Sequence, residues 1–184
     1  KIVAFVGLAG SGKTEACDYV VSKKYPKVYF GAVVLDAMKD AGIEHTEENE
    51  KAFREELRQK NGNDYIAKKI IEQINDLFSA GQHRIIAESL YSWTEYKTLK
   101  AAFPGELIVV AMVAPKHLRH HRLANRPIRP LTQTEADQRD WAEIENLEKG
   151  GPIAIADYYI DNGANLDELY SQIDDLMNEI KFYS

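Results

Sequence analysis

The segment that most constrains the fold of this chain is a glycine-rich stretch at residues 7–14. It reads Gly-Leu-Ala-Gly-Ser-Gly-Lys-Thr. The run before it, residues 1–6, is β-rich and lacks polar alternation, which is typical of a strand buried on both faces of a parallel sheet. After it, Ala16 and Val20 stand at helical i,i+4 spacing. The sequence therefore predicts a glycine-rich turn between a buried parallel strand and a helix.

Residues 7–14 match the pattern G-x-x-x-x-G-K-[ST] in full, and in this setting the pattern is typical of a phosphate-binding loop. Its glycines let backbone N–H groups converge on phosphate oxygens, and the helix N-terminus adds partial positive charge. Lys13 would reach the β- and γ-phosphates, and the Thr14 hydroxyl would ligate Mg²⁺. The alternative, a glycine-rich turn with a chance lysine, suits the flanking strand and helix less well. The residues predicted to bind the nucleotide are Gly7, Ala9, Gly10, Ser11, Gly12, Lys13 and Thr14.

Four further strands are predicted, and helical patterns separate them. The strands are residues 27–30, 84–88, 106–114 and 158–160. This alternation predicts an α/β fold with a five-stranded parallel sheet flanked by helices in a single domain. Ser92 with Glu95 and Thr132 with Glu135 form predicted capping boxes, and the helix after the second box is expected to end at residues 150–151. Ligands of such folds bind beyond the carboxyl ends of the strands.

The chain is acidic overall but basic in one segment. Its 184 residues include 29 acidic and 23 basic side chains, a formal net charge of −6, whereas a general nucleic-acid-binding protein would show the opposite sign. Residues 107–134 contain no acidic side chain. The basic residues in that segment are Lys116, Arg119, Arg122, Arg126 and Arg129. We therefore expect no nucleic-acid partner, and a site for a small polyanion near this segment.

Other features of the sequence exclude several classes of protein. Cys17 is the one cysteine, which excludes an internal disulfide and a cysteine-rich metal site. No apolar run approaches the roughly 20 residues needed to cross a bilayer. Residues 1–6 lack the longer apolar core and the cleavage site of a secretory signal. We therefore expect a cytoplasmic protein without a membrane partner, either a monomer or a homodimer.

Several charged residues are candidates for phosphoryl-transfer chemistry. Glu88 ends a predicted strand, where its carboxylate could orient Mg²⁺ or an acceptor, with a surface contact as the alternative. Arg122 and Arg126 share a predicted helix face, and planar guanidinium groups suit the charge spread over phosphoryl oxygens; a solvated basic face is the alternative. Arg139 is a weaker candidate, because the acidic residues one and four positions later could pair with it at the surface. The predicted catalytic residues are Lys13, Glu88, Arg122, Arg126 and Arg139, and the predicted metal-binding residues are Thr14 and Glu88.

A second group of residues could bind the phosphate acceptor. Arg54 and Arg58 are four residues apart on a predicted helix and could hold a phosphate, although ion pairs with neighbouring glutamates explain them equally well. Tyr91 could stack on a base. The predicted substrate-binding residues are therefore Arg54, Arg58 and Tyr91. The histidines of the basic segment, His117, His120 and His121, are expected to be partly exposed and not to bind zinc.

These motifs together resemble the nucleoside monophosphate kinase superfamily of P-loop proteins. Within it, the chain is most similar to dephospho-coenzyme A kinases and to archaeal adenylate-kinase-related proteins. The resemblance is carried by residues 7–14, Leu57-Arg58 with Gly62, residues 122–126, Arg139-Asp140 and residues 156–162. It implies an acceptor-binding helical insert at about residues 31–80 and a closing lid at about residues 115–150. It also implies ATP as donor, Mg²⁺ as cofactor and a small nucleotide-like acceptor.

Two acceptor-site motifs depart from the pattern of that superfamily. Where relatives show G-D-x-[LI]-R, residues 31–35 read Gly-Ala-Val-Val-Leu; where they show D-G-x-x-R, residues 88–91 read Glu-Ser-Leu-Tyr. The missing arginines grip the phosphate of the acceptor in the relatives. One hypothesis is therefore an ATP-dependent kinase of the nucleoside monophosphate or dephospho-coenzyme A type, with an altered acceptor. The other is a nucleotide-binding regulatory protein or slow ATPase without a small-molecule acceptor.

Overall fold

Five strands form one parallel sheet in the computed structural model, which describes residues 1–183. They are β1 (Ile2–Val6), β2 (Lys27–Tyr29), β3 (Ile85–Glu88), β4 (Leu107–Val113) and β5 (Tyr158–Asp161). Their order across the sheet is β2-β3-β1-β4-β5. In the register of the central strand, Ile2 pairs with Ile85 on one side and with Leu107 on the other. The predicted sheet is therefore confirmed, and the carboxyl ends of all its strands lie at one edge.

Helices connect the strands and cover the sheet. They are α1 (Lys13–Ser22), α2 (Phe30–Asp40), α3 (Glu47–Asn61), α4 (Tyr65–Ser79), α5 (Trp93–Ala102), α6 (Lys116–Asn125), α7 (Gln133–Glu145), α8 (Gly150–Ala154) and α9 (Leu166–Glu179). None of the helices within residues 1–183 is both long enough and apolar enough to span a membrane.

The packing of β1 explains why its sequence is apolar throughout. All of its side chains are buried, and successive side chains point to opposite faces of the sheet. On one face, Ile2, Ala4 and Val6 join a core that includes residues of α2, α4 and α5. On the other, Val3 and Phe5 join a core that includes residues of α1 and α9. A strand buried on both faces holds the glycine-rich segment that follows it at the edge of a rigid sheet.

Both predicted capping boxes are present. Ser92 Oγ accepts from the backbone N–H of Glu95 at 3.1 Å, and Glu95 Oε2 accepts from the backbone N–H of Ser92 at 3.2 Å. Thr132 and Glu135 make the same reciprocal pair at the start of α7. These boxes satisfy backbone donors that a helix N-terminus leaves unpaired.

The end of α7 differs from the prediction. The helix ends at Glu145 and not at residues 150–151. Glu148 then adopts a left-handed conformation with φ of 53°, and the backbone N–H of Lys149 donates to the carbonyl of Glu143 at 3.1 Å. The chain therefore turns back on itself before α8 begins, and this turn brings the side chain of Lys149 alongside α7.

Candidate functional site

The glycine-rich loop between β1 and α1 has a backbone that requires glycine. Gly7, Gly10 and Gly12 have φ angles of 151°, 79° and 98°, in the region that disfavours residues with a Cβ atom. A Cβ atom on Gly10 would lie 2.6 Å from the carbonyl oxygen of Arg119, and one on Gly12 would lie 2.2 Å from Asn162 Nδ2. Both the dihedral angles and the close approach of neighbouring residues therefore exclude larger side chains here.

Arg122 and Asn162 hold the loop from its outer side. Arg122 Nη1 donates to the carbonyl of Gly10 at 3.2 Å, and its Nη2 donates to the carbonyl of Asn162 at 2.6 Å. Asn162, which follows the end of β5, donates from Nδ2 to the carbonyl of Ser11 at 3.0 Å. These bonds tie the carbonyl groups of Gly10 and Ser11 to residues outside the loop and so help to hold its backbone in this conformation.

Two side chains of the loop fit a bound phosphate chain. Ser11 Oγ is buried and has no hydrogen-bond partner within residues 1–183. Lys13 Nζ donates to the carbonyl of Leu8 at 3.1 Å, which folds the ammonium group over the loop. Burial, and next the charge of Lys149, lower the pKa of Lys13 to about 8. A buried ammonium group with a lowered pKa is stabilised by an anionic ligand.

Two predicted metal-binding residues lie at the same edge of the sheet. Thr14 is exposed in the first turn of α1. Glu88 ends β3 and is almost fully buried, with its carboxylate 2.6 Å from the ammonium group of Lys27 on β2. Within residues 1–183 no three or more His, Cys, Asp or Glu side chains are grouped so that they could hold a metal ion. Mg²⁺ at this edge would therefore need phosphate oxygens among its ligands, with the Thr14 hydroxyl as the predicted protein ligand.

A carboxylate from α7 contacts the loop directly. Glu143 Oε2 accepts from the backbone N–H of Ala9 at 3.2 Å and lies 2.9 Å from Lys149 Nζ, while Glu143 Oε1 accepts from Arg139 Nε at 3.1 Å. Glu143 is 3% exposed and Lys149 is 6% exposed. Burial alone would raise the pKa of Glu143, but the charges of Lys149 and Lys13 and the hydrogen bonds hold it below its usual value. An ionised carboxylate therefore lies against the phosphate-binding loop.

The rest of the basic segment divides into buried and exposed parts. Arg119 is buried and pairs with Asp140 of α7, and His120 Nε2 is hydrogen-bonded to the same carboxylate at 2.9 Å. The prediction that His120 is partly exposed is therefore wrong, because its ring is hydrogen-bonded to a carboxylate that is itself buried. His117 and His121 are exposed, as expected. The solvated basic face considered above accounts for neither Arg119 nor Arg122.

Arg126 and Arg139 face the helical segment that the sequence assigns to acceptor binding. Arg126 Nε donates to the carbonyl of Arg129 at 2.6 Å, and Arg129 Nη1 lies 3.0 Å from Glu47 Oε2 at the start of α3. Arg139 Nη1 lies 4.0 Å from Glu47 Oε1. Glu47 thus links Arg129, which follows α6, and Arg139 of α7 to the first turn of α3.

The three predicted acceptor-binding residues are placed differently from one another. Arg58 Nη2 donates to Glu95 Oε1 at 3.0 Å, so its guanidinium supports the buried cap of α5. Arg54 forms an i,i+4 ion pair with Glu50 on α3. Tyr91 donates from its hydroxyl to Ser89 Oγ at 2.9 Å.

Tyr91 also lies next to the buried lysine. Lys149 Nζ stands 4.3 Å from the centre of the Tyr91 ring. Burial is the first cause of the lowered pKa of Lys149; the charges of Arg139 and Arg54 lower it further, and Glu143 offsets part of the effect. The ring of Tyr91 therefore lies beside Lys149, which binds Glu143 at the loop. Sequence reasoning missed Lys149.

Comparison with known proteins shows the family to which the chain belongs. A family model described as an AAA domain matches residues 3–148. UPF0200 proteins of Thermococcus onnurineus and Thermococcus kodakarensis are 31% and 32% identical to the chain over 182 residues, covering 97% of this chain and 97% of each relative. The chain belongs to the UPF0200 family and contains an AAA domain.

Solved structures share the fold of this UPF0200 family member. TT1252 from Thermus thermophilus aligns with a TM-score of 0.63 at 17% identity over 97% of both chains. Shikimate kinase from Aquifex aeolicus aligns with a TM-score of 0.56 at 18% identity over 98% of both chains, and a gluconokinase from Sinorhizobium meliloti with 0.56 at 14% over 98% of this chain and 95% of that one. These likenesses confirm the predicted P-loop fold.

In this member of the family, sequence reasoning missed Glu143, Lys149 and the role of Asn162. One available signal was the spacing of Ala136, Asp140 and Glu143, which are the buried residues of α7. Acidic residues on the buried stripe of a helix need partners, and that requirement points to a cationic site. No comparable pattern marks Lys149, because it follows the break in the helix.

Proposed function

We propose that this protein is a Mg²⁺-dependent kinase that transfers the terminal phosphate of ATP to a small nucleotide-like acceptor. The observation that carries the proposal is the convergence of cations from separate parts of the chain on one place. Lys13 folds over the loop onto the carbonyl of Leu8, and Lys149 and Arg139 both bind Glu143, whose carboxylate accepts from the loop N–H group of Ala9. Phosphoryl transfer needs cationic groups on both the donor and the acceptor side of the phosphoryl group.

The residues have distinct roles in this proposal. The loop N–H groups and Lys13 bind the phosphates of the donor, and Arg122 keeps the loop in its binding conformation. Thr14, together with phosphate oxygens near Glu88, would hold Mg²⁺, which would neutralise charge on the phosphates. Arg126 and Arg139 neutralise charge on the nucleotide. Residues 115–150 form the lid that excludes water, and residues 31–80 form the insert that binds the acceptor.

The proposed class of acceptor rests on two sources, the names of structural relatives and the sequence resemblance. Two of the structural relatives carry the names shikimate kinase and gluconokinase, which favours transfer to a small molecule. The dephospho-coenzyme A or nucleoside monophosphate type rests on the sequence resemblance. Arg54 and Tyr91 are the candidate acceptor contacts, since the ring of Tyr91 lies 4.3 Å from Lys149 Nζ and Arg54 is on α3, within the predicted acceptor-binding insert. Arg58 supports the acceptor site indirectly through Glu95.

A nucleotide-binding regulatory protein or slow ATPase is the second candidate. It is favoured by the two departures at residues 31–35 and 88–91, which remove arginines expected to hold an acceptor. It is also compatible with the match to a model described as an AAA domain. The two candidates differ in one measurable property, because only a kinase needs an acceptor to release ADP.

An acceptor panel separates the two candidates. The protein is incubated with ATP and Mg²⁺ and with nucleoside monophosphates, deoxynucleotides, dephospho-coenzyme A or no acceptor, and ADP is measured. We expect ADP release to rise strongly with one acceptor class and the phosphorylated acceptor to appear in equal amount. Slow ADP release that no acceptor changes would support the regulator or ATPase instead. Lys13→Ala is the inactive control.

A further inference from the structure

Glu143 makes the contacts that a phosphate oxygen would make at this site. Its carboxylate accepts from a loop N–H group, on Ala9, and binds one lysine and one arginine, Lys149 and Arg139. Backbone N–H groups and cationic side chains are the donors with which proteins bind phosphate. A side chain of the protein therefore satisfies, in this conformation, groups that would otherwise bind an anionic ligand.

The local charge is unbalanced in favour of cations. Lys13, Lys149 and Arg139 all act on the single carboxylate of Glu143, and Lys149 is almost fully buried. Buried charge is unfavourable unless it is paired. Glu143 neutralises one of these three cations, and Glu47, which lies 4.0 Å from Arg139, also pairs with Arg129. The cluster therefore retains positive charge that an additional or stronger anion would balance. A terminal phosphate carries more negative charge than a carboxylate and would satisfy the cluster better.

We propose that Glu143 is an internal competitor of the terminal phosphate of the bound nucleotide, and that Lys149, once released from Glu143, binds that phosphate. The inference rests on the nucleotide binding that the proposed function includes, and it adds a ligand-binding residue and a competing one. Arg139 holds the other carboxylate oxygen of Glu143 and is itself partly exposed, so it offers the carboxylate a position away from the loop. The ring of Tyr91 keeps Lys149 in place when Glu143 leaves.

The location explains why the terminal phosphate is the competing group. In P-loop proteins the loop and its lysine bind the β- and γ-phosphates. Here Glu143 contacts the loop at Ala9, and its charge acts on Lys13. A nucleoside diphosphate leaves the terminal position empty, so Glu143 can remain in contact with Ala9. The proposal therefore concerns the difference between triphosphate and diphosphate binding, and not nucleotide binding in general.

The test is a pair of dissociation constants for each variant, one for the β,γ-imido analogue of ATP and one for ADP, measured with Mg²⁺ by titration calorimetry. We define selectivity as the affinity for the analogue divided by the affinity for ADP. Glu143→Gln is expected to raise selectivity about tenfold, because it removes the competing charge. Lys149→Gln is expected to lower selectivity about tenfold, because it removes a charge-assisted bond to the terminal phosphate.

Two exposed residues of the same types provide matched controls. Glu145→Gln alters an exposed glutamate on the same helix, and Lys51→Gln alters an exposed lysine of α3. Both are expected to leave selectivity unchanged within about twofold. If Glu143→Gln does not fold, Glu143→Asp takes its place, since it keeps a counter-charge for Lys149 but withdraws the carboxylate from Ala9. Its selectivity is expected to rise at least about threefold.

A purely structural ion pair predicts a different outcome. Glu143→Gln and Lys149→Gln would then lower thermal stability and change the affinities for both nucleotides equally, leaving selectivity as in the native protein, and that result would overturn the proposal. None of these measurements uses an acceptor. A negative acceptor panel would therefore remove the kinase but leave this inference standing, whereas a native protein that binds neither nucleotide would remove both.

Discussion

Arg119 and Asp140 form a buried, two-bond ion pair that joins α6 to α7 beside the phosphate-binding loop. Arg119 Nη1 and Nη2 lie 2.7 Å and 2.9 Å from the two carboxylate oxygens, and Nη1 also donates to the carbonyl of Ala9 at 3.0 Å. The same helix α7 carries Glu143 against the N–H group of Ala9. Both backbone polar groups of that one loop residue are therefore bonded to side chains of α6 and α7.

The first prediction concerns this ion pair. Asp140→Asn leaves the guanidinium of Arg119 buried without a counter-charge, and we expect the free energy of unfolding to fall by about 3 kcal/mol. Urea denaturation measures the change. Glu56→Gln breaks an exposed ion pair with Lys60 and serves as the control, with an expected loss below about 1 kcal/mol. Equal losses in the two variants would show that burial adds nothing to the pair.

The second prediction separates backbone conformation from steric fit in the loop. Gly10 and Gly81 have similar φ angles of 79° and 84°, but only at Gly10 would a Cβ atom meet other atoms within 4 Å. Gly81→Ala is expected to cost about 1 kcal/mol of stability and to leave nucleotide affinity unchanged. Gly10→Ala is expected to cost more and to weaken nucleotide binding at least about tenfold, because its methyl group would press on the backbone of Arg119. Thermal unfolding with and without ADP distinguishes the two effects.

The third prediction concerns Lys13. Lys13→Ala is expected to lower phosphotransfer by at least about 100-fold, since it removes the cation nearest the loop. The fold should remain intact, because the substitution removes a charge whose burial is unfavourable. Circular dichroism checks the fold, and ADP formation in the presence of acceptor checks activity. A folded variant with undiminished turnover would contradict the assignment of the loop.

The fourth prediction is a dependence of nucleotide binding on pH. The pKa of Lys13 is about 8 in the free protein, so this side chain loses its proton as the pH rises through that value. A bound phosphate favours the charged ammonium form and raises this pKa, and binding must therefore take up protons at about pH 8.5. Lys149, whose pKa is also lowered by burial, acts in the same direction. Affinity should fall as the pH rises above about 8.

Titration calorimetry in two buffers of different ionisation enthalpy measures this proton uptake. Lys13→Ala should reduce the uptake if the variant retains enough affinity to be titrated. Uptake that persists undiminished in this variant would assign the proton to another group, and no uptake in the native protein would show that Lys13 is already charged before binding.

The fifth prediction distinguishes the two arginines of α3. Arg58 binds the nearly fully buried carboxylate of Glu95, so Arg58→Met is expected to lower the free energy of unfolding by about 3 kcal/mol. Arg54→Met breaks a partly buried pair whose carboxylate, Glu50, is 23% exposed, and it is expected to lower stability by less than Arg58→Met does. If Arg54 contacts the acceptor, its variant raises KM for that acceptor instead. A stability loss in Arg54→Met with an unchanged KM would remove Arg54 from the proposed acceptor site.

The conformation of the glycine-rich loop was predictable because its determinants are local in sequence. The loop pattern, the apolar strand before it and the helix after it lie within 22 residues and specify one another through glycine dihedrals and burial. The capping boxes at Ser92 and Thr132 are equally local, since each needs two residues three apart. Strand type and sheet class follow from patterns of the same short range.

The tertiary structure alone decided which charged residues meet. Sequence spacing allowed Arg139 an ordinary surface partner in Glu143, but the packing of α7 buries that glutamate against Ala9. Lys149 reaches the same place because the chain reverses at Glu148, which has a left-handed backbone conformation. A glutamate rarely adopts this conformation, and no local sequence pattern predicts it.

By itself, then, the sequence determined a parallel α/β sheet and a loop built to bind phosphate, because those properties depend on neighbours in the chain. The arrangement of Glu143, Lys149 and Arg139 around the loop depends on contacts between residues more than 100 positions apart. Burial decides whether such a charge is a solvated surface group or part of a site, and burial is a property of the folded chain.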